Sequence, residues 1–131
     1  MKKLLIASIV LLVLGIVIIS IALSFNSNES NSGKNVKTFT LTGENFKFVL
    51  DDVSNPDIEV NKGDLVKIEF KSTKGLHDWI VDEFNVSTSQ VKETNETTFV
   101  EFVADKTGTF EYYCSVGQHR ANGMKGKLIV K

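Results

Sequence analysis

The sequence predicts an all-β domain, a sandwich or a barrel, behind one N-terminal transmembrane helix. Three observations predict it. The chain opens on an uncharged apolar run long enough to cross a bilayer. After Lys37, apolar residues alternate with period two in short runs separated by turn residues,. Beyond the first run, no window of about ten residues or more carries the 3.6-residue apolar stripe of a helix.

Met1, Lys2 and Lys3 precede the run from Leu4 to Phe25, which as a helix would be about 33 Å long against a hydrocarbon core of about 30 Å. The apolar core of a secretory signal is shorter, so residues 1–25 are read as an uncleaved anchor with Lys2 and Lys3 on the cytoplasmic side. The alternative is a cleaved signal, with Ala22-Leu23-Ser24 as the small-residue site,. Under both readings the remainder lies outside the cytoplasm, as the extracytoplasmic part of a single-pass membrane protein or as a secreted or periplasmic domain. Residues 26–37, NSNESNSGKNVK, are too polar to bury a core and read as a flexible linker,.

Residues 38–131 form the folded domain in this reading. Phe46, Phe48 and Leu50 share one face of the first clear alternation,. In Leu65–Lys71, the clearest strand, Val66, Ile68 and Phe70 face a core and Lys67, Glu69 and Lys71 face water,. Asp82–Thr94 reads as a short helix or a loop. Thr97–Val103 and Thr109–Cys114 are rich in β-branched and aromatic residues, and Lys127–Lys131 is the last strand,. Turns are expected at Asn61–Asp64 and Asp105–Gly108.

Charge excludes one class of function. With 15 basic and 16 acidic residues, the chain has no basic surplus that would attract nucleic acid. Asp51, Asp52, Asp57 and Glu59 could dock a basic partner, and their default reading is solvated surface.

The scarce residues point to the chemistry. The chain has one Cys, two His and, besides the initiator, one Met. No intramolecular disulfide is possible, and a lone Cys outside the cytoplasm calls for intermolecular pairing, a reactive thiol or a bound metal. Cys114, His119 and Met124 fall at the spacing C-x4-H-x4-M, and the remaining histidine, His77, sits at the mouth of another apolar strand. Phe110, Tyr112 and Cys114 share one parity, so the thiol emerges at a strand end and the following turn brings His119 and Met124 back to it. Two imidazoles and a thiolate in a trigonal set, with a weak axial thioether, make a copper site that serves both oxidation states. A buried Cys is otherwise an inert hydrophobe and a Met a gap-filler, but three soft donors within eleven residues would be an odd accident for core fillers.

From Thr38 to Lys131 the chain resembles the cupredoxins of the plastocyanin/azurin family. The Cys-to-Met spacing is most similar to rusticyanin- and auracyanin-type blue copper proteins, and His77-Asp78-Trp79 resembles the His-Asn-Trp of azurin-type members. The resemblance implies a Greek-key sandwich of about eight strands, one copper per chain, and metal ligands at His77, Cys114, His119 and Met124. It also implies an electron port at the edge of His119, ringed by Ala121 and Gly123. Leu76 stands where azurins have Gly, and Asp78 where they have Asn. The expected function is electron transfer by a protein that is not an enzyme, between a donor and an acceptor protein, with a monomeric domain held to the membrane by its helix. The alternative is a copper-binding module for storage, delivery or sensing. A Cys–His nucleophilic enzyme would leave Met124 and one histidine without a task, and multicopper or dinuclear copper enzymes need more His or a second Cys.

Overall fold

The computed structural model describes residues 35–92 and 96–131. The anchor expected at residues 1–25 and most of the linker lie outside the described residues, as do Glu93 and Thr94 at the end of the stretch expected to be a short helix or a loop.

Alternation drives the first sheet. β1 (Val36–Glu44), β2 (Lys47–Leu50), β3 (Val53–Ser54), β5 (Leu65–Ser72) and β8 (Thr98–Val103) pair in the order β3-β2-β1-β5-β8. Val66, Ile68 and Phe70 of β5 are fully buried, as their parity requires, while their odd-numbered neighbours are half-buried or exposed,. The second sheet comprises β4 (Ile58–Val60), β6 (Ile80–Val81), β7 (Val86–Ser87), β9 (Gly108–Tyr113) and β10 (Lys125–Val130), in the order β4-β10-β9-β6-β7. The chain changes sheet repeatedly, and β1 lies parallel to β5 as β4 does to β10. Such crossings between layers, rather than successive hairpins, characterise Greek-key sandwiches.

Between the layers lie Leu41, Phe48, Ile58, Phe70, Trp79, Tyr112 and Leu128, all essentially without exposure. Phe48 meets Phe70 of its own sheet and Tyr112 of the facing sheet edge-on, at centroid distances of 5.8 and 5.3 Å, the geometry aromatic quadrupoles favour. The buried Tyr112 hydroxyl donates to the Pro56 carbonyl oxygen at 2.6 Å.

Two expectations need correction. Val36 and Lys37, read as the end of the linker, are the first residues of β1, where they pair with Leu65 and Val66. Backbone pairing with the strong strand β5 captures residues whose own side chains are exposed or half-buried. Phe46, assigned to a core-facing strand, instead lies in the β1–β2 turn with Asn45, both at positive φ, and is 46% exposed. A turn residue interrupts the alternation, so its side chain no longer follows the strand parity. The stretch after β6 holds a 3-10 turn at Asp82–Phe84 and the short strand β7.

Candidate metal centre

β9 delivers Cys114 just beyond its end, where the Cys114 N–H donates to the Met124 carbonyl oxygen at 3.1 Å. The loop back to β10 is knitted by its own backbone. His119 N–H donates to Val116 O (3.0 Å), Asn122 N–H to Gln118 O (2.9 Å), and Met124 N–H to His119 O (2.9 Å). Gly123, at φ 97°, takes a conformation that a residue with Cβ adopts only under strain. Arg120 pins the loop's outer side: its guanidinium bonds Glu111 at 2.6 and 2.7 Å and lies 3.8 Å from the Tyr113 ring centroid.

His77 comes from the segment before β6, bridged to Val91 by two backbone hydrogen bonds. Its side chain is 2% exposed. It packs against β1 at Gly43, where an added Cβ would lie 3.1 Å from the His77 Cβ and 2.7 Å from the Phe70 ring. Its Nε2 lies 2.7 Å from the Lys74 carbonyl oxygen. A carbonyl only accepts, so the ring hydrogen sits on Nε2 and Nδ1 offers a lone pair to the interior. Burial holds the His77 pKa below its ordinary value and pushes the Cys114 thiol above its own,.

Three predicted donors therefore meet. His77 Nδ1 and His119 Nδ1 are 3.1 Å apart, and Cys114 Sγ lies 3.4 Å from His119 Nδ1 and 3.8 Å from His77 Nδ1. A point equidistant from the three corners of that triangle is about 2.0 Å from each, close to the length of a first-row metal–nitrogen bond. The donor set fits a metal: a thiol that becomes thiolate on coordination, and two imidazoles of which one has its tautomer fixed. Met124, the fourth predicted residue, is fully buried and anchored to both other loop donors through its backbone.

The two sides of this cluster differ in exposure. His119 is half-buried, meets the Phe46 ring edge-on at 4.9 Å, and lines a cavity of about 250 Å³ with Phe46, Leu76, His77 and Val116. The apolar surround expected from Ala121 and Gly123 is thus supplied largely by Phe46, Leu76 and Val116. Asp78, which could have pointed to water, is 3% exposed. Its carboxylate accepts from the Ser115 N–H at 2.7 Å, the Ser115 hydroxyl at 2.5 Å and the Gln90 amide at 3.3 Å. It ties the segment bearing His77 to the residue after Cys114.

Sequence reasoning missed Gly43, the Lys74 carbonyl, Ser115 and Phe46. A buried glycine on an alternating strand was the one available signal, since it suggests a close approach. Phe46 gave none, because its alternation imitates a core position.

Solved structures agree on the architecture. Reduced rusticyanin superposes with a TM-score of 0.62 at 26% identity, over 76% of this chain and 81% of that one. Rusticyanin from Thiobacillus ferrooxidans gives 0.62 at 25% identity, over 76% and 79%. Auracyanin A from Chloroflexus aurantiacus, described as a blue copper protein, gives 0.60 at 24% identity, over 74% and 100%, a likeness of fold. No curated protein sequence matches the chain. Family and donor set together support copper as the cofactor, one ion per chain. Residues 15–130 match the model of the cupredoxin-like domain, a span that takes in both sheets and the loop from Cys114 to Met124, and the chain belongs to that family.

Proposed function

We propose that this chain is a type-1 (blue) copper electron-transfer protein. In this reading His77, Cys114 and His119 are the three strong ligands and Met124 is the weak axial one. The observation that carries it is the convergence of three donors within 3.1–3.8 Å, one ring buried and one reaching a surface recess. When bound, copper supplies a one-electron couple between Cu(I) and Cu(II).

The chain's own residues do the rest. The Lys74 carbonyl and the Gly43 surface hold the His77 ring, and the backbone bonds of the loop hold Cys114 and His119. Donors so fixed favour electron transfer, because little has to move when the charge changes. Storage or delivery would instead call for donors free to follow the ion out. Phe46, Leu76 and Val116 keep an apolar surround at the half-buried edge of His119, where a redox partner can approach.

The uncharged run Leu4–Phe25 behind Lys2 and Lys3 supports a tether that holds the domain at the outer face of a membrane, as a single-pass protein. The test of the site is one equivalent of Cu(II) added to the full chain. An intense visible band from thiolate-to-copper charge transfer is expected, and Cys114→Ala should abolish it. A colourless complex, or colour that survives the substitution, overturns the assignment.

A further inference from the structure

One side chain ties the ligand loop to the opposite sheet. Asn55, between β3 and β4, uses its backbone N–H and both ends of its side-chain amide. Its N–H donates to the Phe48 carbonyl oxygen at 2.7 Å, and its Oδ1 accepts the Phe48 N–H at 2.9 Å. Its Nδ2 reaches across the sandwich, 68 positions along the chain, to donate to the Gly123 carbonyl oxygen at 3.1 Å. Asn55 sits at φ 49°, in the left-handed region that asparagine tolerates better than most residues with a side chain.

Gly123 immediately precedes Met124. The Met124 N–H is bound to His119 and its carbonyl to Cys114, so two of its anchors lie within the loop itself. The Asn55 amide is a third anchor, and it comes from the other sheet. We propose that Asn55 is a positioning residue for Met124: its amide sets how far the loop stands from the plane of the three strong donors, and so how closely the thioether approaches the metal. The inference rests on the reading of Met124 as the axial ligand. A long axial bond is too weak to fix its own length, so the length is left to whatever holds the backbone.

Asn55→Asp tests this at nearly constant size, at the cost of one added negative charge whose effect the Met124→Leu background would retain. It keeps the size, the tolerance of positive φ and the acceptor for the Phe48 N–H, and it puts an acceptor in place of the donor that faces Gly123. In the full chain loaded with Cu(II), the relative intensities of the charge-transfer bands and the rhombicity of the electron paramagnetic resonance signal should change. Beyond that charge effect, neither should change further when Asn55→Asp is added to Met124→Leu, because the group through which Asn55 acts is then gone. In the metal-free chain, amide hydrogen exchange at Met124 should be about tenfold faster, as expected for a hydrogen bond worth about 1.4 kcal/mol. Asn55→Gly, which also accepts the backbone conformation, should repeat the spectral change if Asn55→Asp does not fold. An unaltered spectrum in a coloured protein, or an equal change in the Met124→Leu background, overturns the proposal while leaving the copper reading intact. A parent chain without a charge-transfer band overturns both.

Discussion

The two histidines of the centre occupy opposite circumstances. His77 is sealed in, with its ring against Gly43, its Nε2 on the Lys74 carbonyl and its backbone bridged to Val91. His119 is half-buried in the loop between β9 and β10, beside the exposed Phe46 and an open recess. The difference teaches that the two rings are not equivalent supports: the first is part of the core and answers to stability, the second is part of the surface and answers to access. Substitutions around the first should therefore cost folding free energy, and those around the second should change exchange rates at nearly constant stability.

The largest effect is expected where a ring is sealed most tightly. Gly43→Ala would drive a Cβ into the Phe70 ring and the His77 side chain, and overpacking of that kind costs about 1–3 kcal/mol. Denaturant unfolding of the metal-free chain measures the loss. An unchanged midpoint would mean that β1 can shift, and that the seal around His77 is looser than its geometry indicates.

Asp78→Asn keeps the size of a buried side chain, and its distinguishing effect should be on the potential. For an assumed separation of about 8 Å and an effective dielectric near 20, a carboxylate favours the oxidised ion by about 2 kcal/mol, equivalent to about 90 mV for one electron. That is a ceiling, and a rise of some tens of millivolts is the expected voltammetric result. The three donors that face the carboxylate reduce its effective charge and so keep the rise below that ceiling. A midpoint that stays or falls would show that Asp78 only joins the two segments.

The sealed side also predicts a pH dependence for the metal-free chain. His77 has a folded-state pKa below its unfolded value, so its contribution is fully present above the unfolded pKa, about 6.5, and is lost as pH falls through the folded one. Cys114 is shifted upward by burial. The unfolded chain therefore deprotonates first, and stability also declines as pH rises above about 8.5. Thermal midpoints should form a plateau between these limits, and His77→Gln should flatten the acid side. An acid limb that persists in this variant would assign it to other groups.

The smallest stability change belongs to the open side. Phe46→Asp puts a residue that tolerates positive φ in place of an exposed ring,, so the unfolding free energy should move by no more than about 0.5 kcal/mol. Electron self-exchange should nevertheless slow, because two like charges would then meet beside the two His119 rings. Equal rates in variant and parent would place the port elsewhere.

Several features were legible because they depend on local order alone. The parity of Val66, Ile68 and Phe70 marks the core face of β5, and the spacing of Cys114, His119 and Met124 marks a loop that closes on itself. Both follow from strand pleat and chain length, which no distant residue alters. The donor types likewise imply a soft metal before any geometry is known.

What the tertiary structure alone decided are the relations between segments far apart in the chain. The meeting of Asn55 with Gly123, of Asp78 with Ser115, and of Phe46 with His119 depends on how the two sheets stack and how each turn leaves its strand. Phe46 is the plainest case. Its sequence pattern is that of a buried residue, and the β1–β2 turn makes it a surface one. The chemistry of the centre was written in the donors themselves, whereas its rigidity and its open edge come from long-range contacts, because a side chain's neighbours across a sandwich are set by packing and leave no period in the sequence.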